Sequence, residues 1–210
     1  MGGGNEASIQ KSFKEISNMG ERIHLTRNII MRAQHLFKSV SNSKALRGRS
    51  SDDIIASCVY IACRQEGVPR SFKEICAASK VNKREIGRCF KLIVRSLEMN
   101  IEAVNSDDFI ARFCSRLSLS DSIKKLAKHI TNRSIELDLV PGRSPISIAA
   151  TSICIAVGVF GKTPTFKEVC ECTGCSESTI RQLLRFIMPY LKEIIPPDIN
   201  CSGIIENMKC

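Results

Sequence analysis

Phe72-Lys73-Glu74-Ile75-Cys76 and Phe166-Lys167-Glu168-Val169-Cys170 are nearly one pentapeptide written twice, 94 residues apart. The same offset holds without a gap on both sides. Downstream it pairs Ile86 with Ile180, Ile93 with Ile187 and Leu97 with Leu191; between the connectors and the pentapeptide it pairs Gly48 with Gly142, Arg49 with Arg143, Ser50 with Ser144, Ala56 with Ala150 and Ile61 with Ile155. Further upstream, Ile29/Ile123, Ala33/Ala127 and His35/His129 continue it. Self-similarity at one fixed period means one structural unit used twice. The expected organisation is a first repeat over 7–99 and a second over 100–195, with 1–6 as a tag or disordered and 196–210 as a C-terminal tail.

Each copy reads as helix throughout. Apolar residues recur at spacings of three and four, and turn residues fall at matching places. In copy one, Ile9, Phe13, Ile16 and Met19 form the first stripe, and Ile29, Ala33, Leu36, Phe37 and Val40 the second, with Thr26 expected as its cap. Ser51 is expected to cap a third helix whose Ala56 to Cys63 stretch is apolar nearly all round. Such a helix belongs at the centre of its unit. A short helix ends before Lys80-Val81-Asn82, and a longer one runs to about Met99. Copy two repeats this with Ser144 as cap, Pro145 at the first helical position, a turn at Gly174-Cys175-Ser176, and a last helix that Pro189 stops or kinks. The expected fold is all-α, with five helices in each of two tandem repeats.

Composition narrows the function. The 210 residues carry 31 Lys plus Arg against 21 Asp plus Glu, a net charge of +10. Residues 1–100 hold 18 basic and 9 acidic residues, whereas 101–210 hold 13 and 12. A basic half points to a polyanion or an acidic protein face as partner. The longest apolar runs are broken by Ser, Thr and Gly and fall short of the roughly 20 residues of a bilayer span, so no membrane helix is expected. Cys58, Cys63, Cys89 and Cys154, among eleven Cys, lie within apolar stretches, as reduced core thiols do and a secreted disulfide scaffold does not.

The last two helices of each repeat have the form of a helix-turn-helix. In copy one, Arg84, Arg88, Lys91 and Arg95 stack opposite the stripe Ile86, Cys89, Ile93 and Leu97. Read as unpaired, four cations on one face repel by a few tenths of a kcal/mol per pair, and an external anion relieves that. In copy two, Ser178, Thr179, Arg181, Gln182 and Arg185 face away from Ile180, Leu183, Leu184 and Ile187, with Ser176 as cap. Arg, Gln, Ser and Thr are side chains that hydrogen-bond base edges, and the start of a recognition helix enters the major groove first.

Other constellations carry less. Cys170, Cys172 and Cys175 have no fourth ligand nearby in sequence, and Cys170 shares the inward repeat position of Cys76, so no metal site is expected. His35 and His129 are matched positions, better suited to packing or surface than to catalysis. No Gly-rich phosphate loop, nucleophile elbow or carboxylate pair on an apolar floor occurs. Neither an enzyme nor a cofactor is expected.

At Ile61-Ala-Cys-Arg-Gln-Glu-Gly-Val-Pro-Arg-Ser-Phe-Lys-Glu-Ile-Cys76, Glu85-Ile-Gly-Arg-Cys-Phe-Lys91 and Glu136-Leu-Asp-Leu-Val-Pro-Gly-Arg-Ser-Pro-Ile-Ser147, the chain resembles the core of the eukaryotic transcription factor IIB family. The resemblance implies two cyclin-like repeats and a nuclear role in transcription initiation. Its implied partners are the TATA-binding protein, promoter double-stranded DNA flanking the TATA element, and RNA polymerase II, the last mainly through an N-terminal region outside this sequence. The implied contacts with DNA and the TATA-binding protein fall on Arg47 and Arg49 in the connector, Arg84, Arg88 and Lys91 on the last helix of copy one, Ser144 and Lys167, and Ser176, Ser178, Thr179, Arg181 and Arg185 on the last helix of copy two. Ser178 departs from the apolar residue of vertebrate relatives. The alternative is a cyclin-type regulatory subunit of a protein kinase, since one fold serves both; the basic last helices favour DNA over the apolar docking face that a kinase requires.

Overall fold

Nine consecutive buried residues, Ile55 to Cys63, decide how the first unit is built. A helix hidden on every side has to be covered on every side, and the neighbouring segments supply amphipathic helices that do so. The computed structural model describes residues 3–161 and 164–199; residues 1–2 of the expected tag and 200–210 of the expected tail lie outside these. The chain divides into two compact units, Met1–Ala103 and Val104–Cys210.

The first unit runs α1 (Gly3–Arg22), α2 (Arg27–Val40), a 3-10 turn at Lys44–Leu46, α3 (Ser51–Gln65), α4 (Phe72–Ser79) and α5 (Lys83–Ser96). α1 starts within the stretch read as tag or disordered. α3 is the centre, packed by α1, α2, α4 and α5. Its cap is Ser50, whose hydroxyl accepts from the Asp53 N–H at 3.1 Å, one residue before the expected Ser51. Thr26 stands at the start of α2, yet its side chain makes no capping bond.

The second unit repeats the plan with α6 (Ser106–Arg116), α7 (Asp121–Glu136), α8 (Pro145–Val159), α9 (Phe166–Thr173) and α10 (Glu177–Ile187). Here α8 is the centre, buried continuously from Ser147 to Val157. Pro189 acts as expected: α10 stops at Ile187, a 3-10 turn covers Met188–Tyr190, and a single-turn α11 (Leu191–Ile194) closes the unit on its core. The fold is therefore all-helical among the described residues, with five principal helices per unit.

The two short helices are capped identically. Ser71 accepts from the Glu74 N–H while the Glu74 carboxylate accepts from the Ser71 N–H at 2.7 Å, and Thr165 with Glu168 does the same, also at 2.7 Å. Each box satisfies two donors that a helix start leaves open. The turn that follows needs a left-handed residue at its corner. Lys80 (φ 59°) fills it in unit one and Gly174 (φ 77°) in unit two, and both return a backbone N–H to the Cys76 or Cys170 carbonyl. Identical turns thus set α5 and α10 on their units in the same way. No described helix is long and apolar enough to cross a membrane.

Candidate nucleic-acid interface

α5 presents its cations because its other face is committed to the core: Ile86, Cys89 and Ile93 are buried, with Phe90 and Leu92 packed beside them, which leaves the cationic positions on the side turned to solvent. Arg84, Lys91 and Arg95 are exposed. Arg88 is exposed too, but it is not the unpaired charge that helical spacing suggested. Glu85, one turn earlier, accepts from Arg88 at 2.5 Å and from Arg49 of the connector at 2.9 Å. One carboxylate thereby ties the connector to α5 and holds two guanidiniums side by side. Arg88 is largely exposed in this pair, of the kind that contributes about 0–1 kcal/mol, whereas Arg49 and Glu85 are half-buried. Arg47 is exposed at the end of the 3-10 turn. Arg47, Arg49, Arg84, Arg88 and Lys91 therefore all belong to the connector and the outer face of α5 in one unit.

The second unit gathers a smaller and less basic set. Ser176 caps α10: its hydroxyl accepts from the Thr179 N–H at 3.3 Å and lies 3.1 Å from the Ser178 hydroxyl and 2.7 Å from the Thr179 hydroxyl. Arg185 is exposed towards the end of α10, and Lys167 is exposed on α9. Ser144 caps α8, where its hydroxyl accepts from the Ser147 N–H at 3.2 Å. Arg181 is not held ready in solvent. Its Nε and Nη2 both donate to Glu177 Oε1, at 2.9 and 2.6 Å, and its guanidinium sits 5.1 Å from the Phe166 ring centre.

The connector of unit two also reaches its last helix. Arg143, the repeat partner of Arg49, donates to Gln182 Oε1 at 3.0 Å and lies 5.5 Å from the ring centre of Phe186, an exposed aromatic. Sequence reading missed Arg143, Glu85 and Glu177. The first was visible as the exact partner of Arg49, and the two glutamates as carboxylates three or four residues before an arginine. Phe72 and Phe166 occupy equivalent positions, but both are half-buried rather than core residues. Each is the first residue of its short helix, at the rim, with Lys83 or Arg181 over the ring.

Elsewhere, open hollows of about 440 and 400 Å³ lie at Arg116, Ser118, Glu168 and Glu171, and at Asn28, Met31, His35 and Glu66. His129 is exposed. Among the described residues no group of His, Cys, Asp and Glu is arranged to hold a metal ion.

The family model for the transcription factor TFIIB repeat matches residues 5–96 and 99–189. The chain belongs to the TFIIB repeat family. Over 204 residues, 97% of this chain, it is 50% identical to transcription initiation factor IIB of Xenopus laevis, 48% to that of Homo sapiens and 44% to that of Drosophila melanogaster. The match spans 65% of each of those relatives' own length. A solved viral cyclin from herpesvirus saimiri is 14% identical with a TM-score of 0.40, covering 89% of this chain and 86% of that one, a likeness too distant to carry an argument. The TFIIB repeats coincide with the helical units, and each family repeat takes in one connector and one last helix.

Proposed function

We propose that this chain is the core of a general transcription initiation factor, which joins the TATA-binding protein on promoter double-stranded DNA and grips the duplex beside the TATA element. The observation that carries the reading is the outer face of α5, basic and exposed in a chain that belongs to the TFIIB repeat family. Phosphate neutralisation by Arg47, Arg49, Arg84, Arg88 and Lys91, with Lys167 in the second unit, supplies affinity that does not depend on sequence. The start of α10, with Ser176, Ser178, Thr179 and Arg181, supplies what base preference there is, and Arg185 and Ser144 add backbone contacts. The chain works in the nucleus, supports assembly of RNA polymerase II at promoters, and acts by binding rather than by catalysis.

A gel shift with the TATA-binding protein on a short TATA duplex tests this. The expected result is a slower complex that needs both the TATA-binding protein and this chain. A chain that leaves the mobility of the binary complex unchanged contradicts the proposal.

A further inference from the structure

We infer that Glu177 sets the base preference of the second unit by restraining Arg181, which leaves its resting place only for the paired acceptors of a base edge. The inference rests on the DNA-binding reading above. One oxygen of Glu177 takes two donors of Arg181, and Phe166 supports the guanidinium from below. Glutamate four residues before its cation is the favoured order on a helix, and a carboxylate in the first turn is stabilised by the helix dipole. The side chains remain 49% and 35% exposed, so the pair opens at modest cost.

Two competitors for Arg181 then fare differently. A phosphate approaching the start of α10 meets the Glu177 carboxylate first and is repelled by it. Guanine instead offers O6 and N7 to the fork of Arg181, and the freed carboxylate accepts the N4 hydrogen of a cytosine. Specificity here comes from penalising the wrong partner as much as from rewarding the right one. Unit one shows the contrary arrangement on the same scaffold. Lys83 stands at the position of Glu177 and Gly87 at that of Arg181, with the Lys83 ammonium 5.9 Å from the Phe72 ring centre. Its helix start sets Lys83 and Arg84 beside a single carboxylate, Glu85, which is already shared by Arg49 and Arg88, so the net charge there favours a phosphate.

Glu177→Gln keeps the shape of the side chain and removes its charge at an exposed position, where stability changes little. Affinity for the TATA-binding protein complex would be measured for the parent, Glu177→Gln, Arg181→Ala and the double variant. Two TATA duplexes are used, one with G·C pairs and one with A·T pairs upstream. Glu177→Gln is expected to bind the A·T duplex roughly three- to fivefold tighter and the G·C duplex little differently, lowering the parent's preference by that factor. In the Arg181→Ala background the same change is expected to move both duplexes alike. An unchanged preference in Glu177→Gln, or the same loss of preference in the Arg181→Ala background, overturns the restraint. A parent that joins both duplexes equally overturns this inference alone, whereas a parent that joins neither overturns the proposed function and this inference with it.

Discussion

α5 and α10 occupy the same place in their units, with Ile86 and Ile93 buried in one and Ile180 and Ile187 in the other, yet their outer faces share almost nothing. α5 carries Lys83, Arg84, Arg88, Lys91 and Arg95 against a single Glu85. α10 carries Arg181 and Arg185 against Glu177, among Ser178, Thr179 and Gln182. Duplication kept what the core needs and released what faces water. Under the proposed function the difference divides the labour: a strongly basic face binds a polyanion wherever it is met, whereas a polar face with one restrained arginine is suited to choosing among sequences.

The largest effects test the shared half of this comparison. Ile61 and Ile155 are repeat partners at the centres of α3 and α8, both wholly buried. Ile61→Ala and Ile155→Ala should each cost about 2–5 kcal/mol in urea unfolding, and a loss confined to one of them would show that the cores are not equivalent. Next in size is a test of the divergent half. Arg84→Glu should weaken joining of the TATA-binding protein–DNA complex at least about tenfold, or ~1.4 kcal/mol, while changing stability by about 0.5 kcal/mol or less. Ser178→Glu, at the matching position of α10, should weaken it less. Equal losses would erase the distinction between the faces. Smaller again, Ser71→Ala and Thr165→Ala each remove one half of a capping box and should each cost about 1 kcal/mol in the same unfolding experiment.

The shared half was legible in the sequence and the divergent half only partly so. A gap-free offset fixes the number of units, and inward stripes such as Ile180, Leu183, Leu184 and Ile187 are fixed by helical periodicity, which depends only on near neighbours. Contacts between elements have no such period. That Arg49 and Arg88 meet at Glu85 depends on where the connector lies against α5, and the spacing of cations along α5 alone implied four free charges. Arg181 shows the same limit: its helical face was legible, but not its rest against Glu177 and Phe166, because the second contact comes from α9.

A separate prediction, on pH rather than on either face, concerns the thiols. Burial pushes Cys154 up to about 12 and Cys114 up to about 11 from an ordinary value of 9.0; burial, with Cys89 nearby, pushes Cys58 up as well. Each folded-state value stands above its unfolded one, so the folded chain keeps protons that the unfolded chain releases. This stabilisation is fully present below pH 9 and is lost as pH rises through the folded values. Urea unfolding at pH 8 and pH 10.5 should show lower stability at the higher pH, and Cys154→Ala should show a smaller drop than the parent.

The division of labour is tested most directly by the salt dependence of complex formation for Arg84→Ala and Arg181→Ala, measured with the TATA-binding protein on duplexes that differ only upstream of TATA. Arg84→Ala should lower the salt slope by about one ion and leave the ratio of affinities between duplexes unchanged. Arg181→Ala should reduce that ratio by an amount equivalent to about 1–3 kcal/mol and change the slope less. A ratio that survives Arg181→Ala, or falls equally in both variants, would contradict the account and leave α10 as a second backbone clamp.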